Sequence, residues 1–148
     1  MKRCIVYEGE TAKELAGSLF PSDSKIDARS NEVIDQEADV LGFLIPARKG
    51  ALPSMMVRYI ENTLRERDNT GLGYIFAIII PEGKKGLWTE DRISMLLASS
   101  GCVLSYWSEY DEKKKEEILT DIAEEKFRIA GHGPVFRIFG RKISTYQE

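Results

Sequence analysis

The stretch Tyr74-Ile75-Phe76-Ala77-Ile78-Ile79-Ile80 is the longest run of apolar residues in the chain, and it decides how the rest is interpreted. A run without polar alternation is typical of a strand that is covered on both faces. Pro81 ends it, because proline cannot donate to a β-ladder. A second run of this kind, residues 40–45, follows Asp39. Two such strands predict a buried parallel sheet with helices on both sides.

Three weaker strand patterns extend this sheet outward. They lie at residues 3–7, which are apolar and β-branched, at residues 25–29, and at residues 102–107. Strands that alternate with helices require parallel pairing and right-handed crossovers. The sequence therefore predicts an α/β fold with a doubly wound, five-stranded parallel sheet. Only the connection at residues 30–38 is too short for a full helix.

Four segments have apolar residues at helical spacing: residues 11–20, a helix that opens at Pro53-Ser54, a helix that opens at Thr89, and residues 111–127. Thr89 is followed by two acidic residues, which predicts that it is the N-cap of its helix. Gly101 fits the C-terminal cap of the same helix. The side chains predicted to face inward from the last helix are Ile118, Leu119, Ile122 and Ala123.

The composition sets limits on function. The chain has 148 residues, of which 43% are hydrophobic and 30% charged, as expected for one domain. Its net charge of −3 gives no attraction for nucleic acid or for anionic membranes. No apolar run approaches the roughly 20 residues that span a bilayer. Glu8 and Glu10 interrupt the N-terminus before a signal-peptide core can form, so a cytoplasmic location is expected.

The cysteines and the histidine point away from metal, dithiol and triad chemistry. Cys4 and Cys102 are far apart in sequence and lie in or beside apolar runs, so both are predicted to be reduced core residues. His132, the only histidine, lies in a Gly-His-Gly-Pro turn. No Gly-x-Ser-x-Gly motif is present. We expect neither a metal site nor a catalytic side chain.

Three stretches resemble the flavodoxin family: Ile5-Val6-Tyr7 with the turn Gly9-x-Thr11; Ala38-Asp39-Val40-Leu41-Gly42-Phe43 leading through Pro46 and Gly50 to Pro53; and residues 76–80 followed by a loop with Gly83 and Gly86. The resemblance covers about residues 1–126. It implies a flavodoxin-like sheet of order 2-1-3-4-5, a non-covalently bound FMN, and electron transfer through the exposed edge of the isoalloxazine ring.

The resemblance also implies where FMN would be held, namely by the loops after strands one, three and four. The matching residues are Gly9, Thr11, Pro46, Gly50, Gly83 and Gly86. The first loop, Glu8-Gly9-Glu10-Thr11, is about two residues shorter than in the family and carries two carboxylates. A carboxylate about 6 Å from a phosphate would repel it by on the order of 2–3 kcal/mol at an effective dielectric of about 20. The favourable interaction of a phosphate with the helix N-terminus is only about 0.3–2 kcal/mol. Both glutamate side chains would therefore have to turn outward for the phosphate to bind. The alternative is an acidic first turn that simply starts the helix well.

The other two loops leave alternatives open. The second lacks the aromatic residue that family members often stack on the flavin. A ring would have to come from another aromatic residue, unless these are all core or rim residues: Trp88, Tyr106, Trp107 or Tyr110. Arg48, Lys49, Lys84 and Lys85 should converge at one edge of the sheet. They either attract an anionic ligand or an acidic redox partner, or simply keep the surface soluble.

Residues 127–148 have no counterpart in the resemblance. This C-terminal extension is basic and apolar together, with Phe136, Ile138 and Phe139 among its residues. One interpretation is an extra strand or hairpin that covers a sheet edge or pairs across a homodimer. Another is a docking tail.

Two functions follow from these patterns. The first is a flavodoxin-like redox protein that carries FMN and exchanges electrons with a partner protein. The second is a degenerate flavodoxin-fold module that binds or regulates without FMN. The altered first loop and the missing aromatic residue favour the second, but the overall resemblance makes the redox protein the expected function and the FMN-free module the alternative.

Overall fold

The computed structural model describes residues 2–83, 86, 88–130 and 145–147. The strands are Arg3–Tyr7 (β1), Ser24–Asp27 (β2), Val40–Ala47 (β3), Leu52–Pro53 (β4), Tyr74–Pro81 (β5), Tyr106–Glu109 (β6) and Thr145–Tyr146 (β7). The helices are Glu10–Leu19 (α1), Ser54–Tyr59 (α2), Thr89–Ser99 (α3) and Lys115–Ala123 (α4). A π-helical stretch, Ile60–Leu64, continues α2, and a 3₁₀ turn, Glu112–Lys114, precedes α4.

Five strands form one parallel sheet in the order β2-β1-β3-β5-β6. Counted within this sheet alone, the order is 2-1-3-4-5, so the predicted flavodoxin-like α/β fold is confirmed. At its centre, β3 is buried along its whole length and pairs with β5. Gly42 of β3 lies opposite Phe76 of β5. A Cβ atom on Gly42 would be 2.1 Å from the Phe76 ring, so the ring fills the space that any other residue would need.

Each face of the sheet buries its own core. On one face, α1 and α4 contribute Ala12, Ala16, Leu19, Ile118 and Ile122. On the other face, α2 with its π-helical continuation and α3 contribute Met56, Ile60 and Ile93. The short connection between β2 and β3 adds Ile34 to this second core in place of a helix. The layered arrangement follows from helices that bury one apolar stripe each.

Several predicted boundaries and caps need correction. The last strand of the sheet begins at Tyr106, not at Cys102, and α4 is shorter than predicted, with Ala123 exposed rather than inward. Thr89 is the first residue of α3 and not its N-cap. That position belongs to Trp88, whose φ of 57° is left-handed. The predicted role of Gly101 is confirmed.

The end of α3 shows why a glycine is needed at position 101. Gly101 donates to the main-chain oxygen of Ala98 at 3.0 Å, and Cys102 donates to that of Leu97 at 2.9 Å. This pair of bonds is a Schellman motif, which requires positive φ at its central residue. Gly101 has a φ of 81°. Cys4 and Cys102 are both buried free thiols, as predicted.

The C-terminal extension is described at residues 127–130 and 145–147. The amide of Arg128 donates to the main-chain oxygen of Ser105 at 2.9 Å, just before the edge strand β6. Farther along, β7 pairs in parallel with β4. His132 and its predicted turn lie outside the described residues. Among the helices that are described, none is both long and apolar enough to cross a membrane.

Candidate functional site

The candidate site is the edge of the sheet where β1, β3 and β5 end, here called the carboxyl edge. In doubly wound sheets ligands bind beyond the carboxyl ends of the strands, near the point where the strand order reverses. In this chain the order reverses between β1 and β3. Three loops meet that edge, and they begin after Tyr7, Ala47 and Pro81.

In the first loop, the side chain of Glu8 turns inward. Glu8 is only 1% exposed, whereas Glu10 and Thr11 are exposed in the first turn of α1. The Glu8 carboxylate lies 3.8 Å from Nε of Arg29, which follows β2. Gly9 occupies the N-cap position with a φ of 90°, and no side chain caps the helix there. The condition that both carboxylates turn outward is therefore met by Glu10 and not by Glu8.

The second loop is a tight hairpin. Arg48 and Ala51 exchange two main-chain hydrogen bonds, of 3.1 and 2.8 Å. Between them Lys49 and Gly50 have φ values of 52° and 82°, as a two-residue turn of type I′ requires. Pro46 precedes the hairpin and belongs to β3, opposite Ile80 of β5. The strand thus runs farther than predicted and leaves only a short turn at the edge.

The third loop rests on the tip of this hairpin. A Cβ atom built on Gly86 would lie 2.0 Å from the main-chain nitrogen of Gly50 and 2.2 Å from its Cα. Such distances mean that the two backbones are in direct contact, with no side chain between them. Gly83 has a φ of 76°, is exposed, and has nothing within 4 Å of the same position. The second and third loops therefore close against each other at Gly50 and Gly86.

The C-terminal strand β7 contacts the end of β3 and the hairpin that follows it. The hydroxyl of Tyr146 in β7 donates to the main-chain oxygen of Pro46 at 3.0 Å. The guanidinium of Arg48 lies 4.6 Å from the centre of the Tyr146 ring, and its Nε is 3.2 Å from the Glu82 carboxylate. Arg48 is thus engaged by a ring and a carboxylate. Lys84 and Lys85 lie outside the described residues, so the predicted convergence of four cations stays a prediction.

The aromatic residues considered as stacking partners have other contacts. Tyr106 is buried and donates to Asp121 at 3.1 Å, and burial raises its pKa to about 12. Trp107 is covered by the Arg128 guanidinium, 3.9 Å from the ring centre. The hydroxyl of Tyr110 donates to the Glu112 carboxylate, and this hydrogen bond raises the pKa of Tyr110 to about 12. Trp88 is the most exposed of the four, at 36%.

The predicted FMN residues fall into separate groups. Pro46, Gly50 and Gly86 lie together, but they contact one another or the C-terminal strand. Gly9 and Thr11 stand at the start of α1, and Gly83 is exposed. Two features of the described residues bear on how FMN would fit. A buried carboxylate precedes the helix that would receive the phosphate, and the loops that would hold the ring touch each other.

Two features of the site escaped the sequence interpretation. Nothing in the sequence marks the inward turn of Glu8, because glutamate is seldom buried. The contact of Tyr146 with Pro46 spans 100 positions and has no local pattern. A weak signal existed in the apolar content of the C-terminal extension, for which an extra strand was one of two interpretations. Among the described residues, no cluster of three His, Cys, Asp or Glu side chains is arranged to hold a metal ion.

Comparison with known proteins supports the fold and nothing finer. No protein-family model matches the chain, and no curated protein matches it. Among solved structures, the metal-soaked flavodiiron core of Flv1 from Synechocystis sp. PCC6803 superposes with a TM-score of 0.54 at 16% sequence identity. The match covers 84% of this chain but only 35% of that one. The chain therefore has a flavodoxin-like fold.

Proposed function

We propose that this chain is a flavodoxin-like binding module that works without FMN. The observation that carries the proposal is the backbone contact between Gly86 and Gly50. The resemblance assigns the flavin ring to the loops after strands three and four, and these two loops meet with no gap at that point. A planar ligand would have to force them apart.

The buried carboxylate of Glu8 supports the proposal independently of the ring. A phosphate about 6 Å from it would be repelled by on the order of 3 kcal/mol, more than the helix terminus typically returns. Arg29 offsets part of this charge, since its Nε is 3.8 Å away. Arg29, a cation that could attract a phosphate, thus already lies beside the carboxylate of Glu8.

The competing function is FMN-associated electron transfer with a redox partner protein. The sheet order and the likeness to a flavodiiron core favour it. It requires the third loop to withdraw from Gly50, and it requires the Tyr146 contact with Pro46 to tolerate that movement. The binding module requires neither change, and for this reason we prefer it.

Titration with two flavins distinguishes these functions. The purified protein is mixed with FMN and, separately, with riboflavin, which has the ring but no phosphate, and quenching of flavin fluorescence is followed. A known flavodoxin serves as the assay control. We expect neither flavin to bind. Stoichiometric binding of FMN by the unaltered chain would overturn the proposal.

A variant identifies which part of the geometry matters. Glu8→Gln keeps the size of the side chain and removes its charge. We expect this variant still to bind neither flavin, because the contact between Gly50 and Gly86 is unaltered. If Glu8→Gln gained FMN binding, the charge of Glu8 alone would prevent binding in the unaltered chain. The contact between Gly50 and Gly86 would then not exclude the flavin ring.

A further inference from the structure

A second concave region lies away from the carboxyl edge, beside the connection between β2 and β3. This connection has no helix, and its residues 31–36 run alongside the end of the π-helical stretch. Between them is a cleft of about 440 Å³, within the size range of small-molecule sites. Its lining residues are Asn31, Val33, Ile34, Gln36, Asn62, Thr63, Glu66 and Arg67. We call it the Arg67 cleft.

Arg67 is the unusual member of this lining, because it is a buried cation. The residue is 9% exposed, and its guanidinium makes four hydrogen bonds. Nε and Nη2 donate to the main-chain oxygens of Ile34 and Asp35, at 3.4 and 2.6 Å. Nη1 donates to the main-chain oxygen of Asp68 and to Oδ1 of Asn69, both at 3.1 Å. All four acceptors are neutral oxygens.

The hydrogen bonds of Arg67 therefore all go to dipoles, and the carboxylates of Asp35 and Asp68, whose pKa values its charge helps to lower, accept none of them. A guanidinium has five N–H groups, so one on Nη2 remains beyond the four bonds. The carboxylate of nearby Asp35 is paired with Lys2, and only its main-chain oxygen accepts from Arg67. A buried charge of this kind is stabilised when an anionic oxygen comes within hydrogen-bond distance.

We propose that the Arg67 cleft binds a small organic anion through one carboxylate or phosphate oxygen. The oxygen accepts from Nη2 of Arg67. The amides of Asn31, Gln36 and Asn62 offer donors and acceptors to the polar part of such a molecule, and exposed Val33 offers apolar contact. Glu66, on the cleft wall, opposes the anion. This site is distinct from the carboxyl edge and does not depend on whether FMN binds there.

Three probes of similar shape test the proposal: benzoate, phenyl phosphate and benzamide. Amide NMR shifts of residues 31–36 and 62–67 report binding to the full chain. We expect at least one anion to shift these amides and to bind at least ten times more tightly than neutral benzamide. Benzoate alone would identify a carboxylate site, and phenyl phosphate alone a phosphate site. Equal binding of benzamide, or no shift with either anion, would overturn the proposal.

Charge variants of neighbouring residues sharpen the test. Arg67→Gln should abolish anion binding, and exposed Arg65→Gln, the matched control, should change affinity less than twofold because solvent and salt screen its charge. Because Arg67→Gln also weakens the hydrogen bonds to the connection, Glu66→Gln provides an independent variant. Removal of this opposing charge should tighten anion binding about two- to fivefold. Unchanged or weaker binding in Glu66→Gln would contradict the proposal.

Discussion

The hydroxyl of Tyr146 donates a 3.0 Å hydrogen bond to the main-chain oxygen of Pro46, which ties the C-terminal strand to the end of the central strand β3. The same ring lies under Arg48, 4.6 Å from its guanidinium. The C-terminal extension thus contributes to the edge where doubly wound folds hold their ligands. Together with the contact between Gly50 and Gly86, it makes this edge a packed part of the protein.

Tyr146→Phe removes this hydrogen bond and keeps the ring beneath Arg48. We expect the free energy of unfolding to fall by about 0.5–1.5 kcal/mol, because the oxygen of buried Pro46 loses its partner. Urea unfolding measures this change. Tyr110→Phe is the matched control, since its hydroxyl bonds to Glu112 at an exposed position, and it should cost less than about 0.5 kcal/mol. If the two variants lost the same free energy of unfolding, the hydroxyl of Tyr146 would have no special role in stability.

Gly86→Ala tests the backbone contact. The new Cβ atom would meet main-chain atoms of Gly50 at 2.0 and 2.2 Å, so a loop must move. We expect a loss of about 1–3 kcal/mol in the free energy of unfolding, as for other overpacked sites. Gly17→Ala is the control, because nothing lies within 4 Å of its Cβ position in α1. That change should stabilise the protein by about 0.5–1 kcal/mol. A neutral Gly86→Ala would argue against closed loops.

The thiol of Cys4 predicts how stability depends on high pH. Burial raises its pKa from 9.0 to about 11. The folded protein therefore holds the proton over a range in which the unfolded chain releases it. The contribution is fully present below pH 9 and is lost as the pH rises toward 11.

Unfolding by urea at several pH values measures this loss. We expect the free energy of unfolding to decline between pH 9 and pH 11, and to decline less steeply in Cys4→Ala. Iodoacetamide should leave Cys4 of the folded protein unmodified at pH 9. Rapid alkylation under those conditions would show that the thiol ionises at its ordinary pKa.

The interpretation of the C-terminal extension as a dimer interface stays a proposal, and two exposed side chains support it. Phe127 and Ile129 are 71% and 77% exposed, beside the edge strand β6. We expect light scattering to give twice the chain mass of 16.8 kDa. Phe127→Ser combined with Ile129→Ser should give the monomer. Val33→Ser, at an equally exposed residue, should leave the mass unchanged. A monomeric unaltered chain would contradict the proposal.

The sequence predicts best where burial is continuous. The bounds of β1 and the core of β3 and β5 follow from uninterrupted apolar residues, because a strand covered on both faces has no polar alternation to confuse the pattern. The end of α3 was also predictable, since Gly101 takes a conformation that few other residues adopt. Such features depend on residues close together in the chain.

The site was harder to predict, because its contacts join distant residues. Trp88 takes the N-cap position in a left-handed conformation that no propensity favours for a bulky side chain. Residues 102–105 are apolar enough for a strand, yet the ladder with β5 starts only at Tyr106. The inward turn of Glu8 and the contact between Gly50 and Gly86 depend on packing that no local pattern records. The proposal that the chain works without FMN rests on these contacts more than on the resemblance.

The most direct measurement is the nuclear Overhauser effect between the amide proton of Gly50 and the α protons of Gly86, recorded with and without excess FMN. The backbone contact predicts a strong cross-peak that FMN leaves unchanged. A cross-peak that is missing without FMN would show that the two backbones are not in contact. A cross-peak that FMN abolishes while the neighbouring amides shift would show that the loops open to a flavin. Either result would contradict the account.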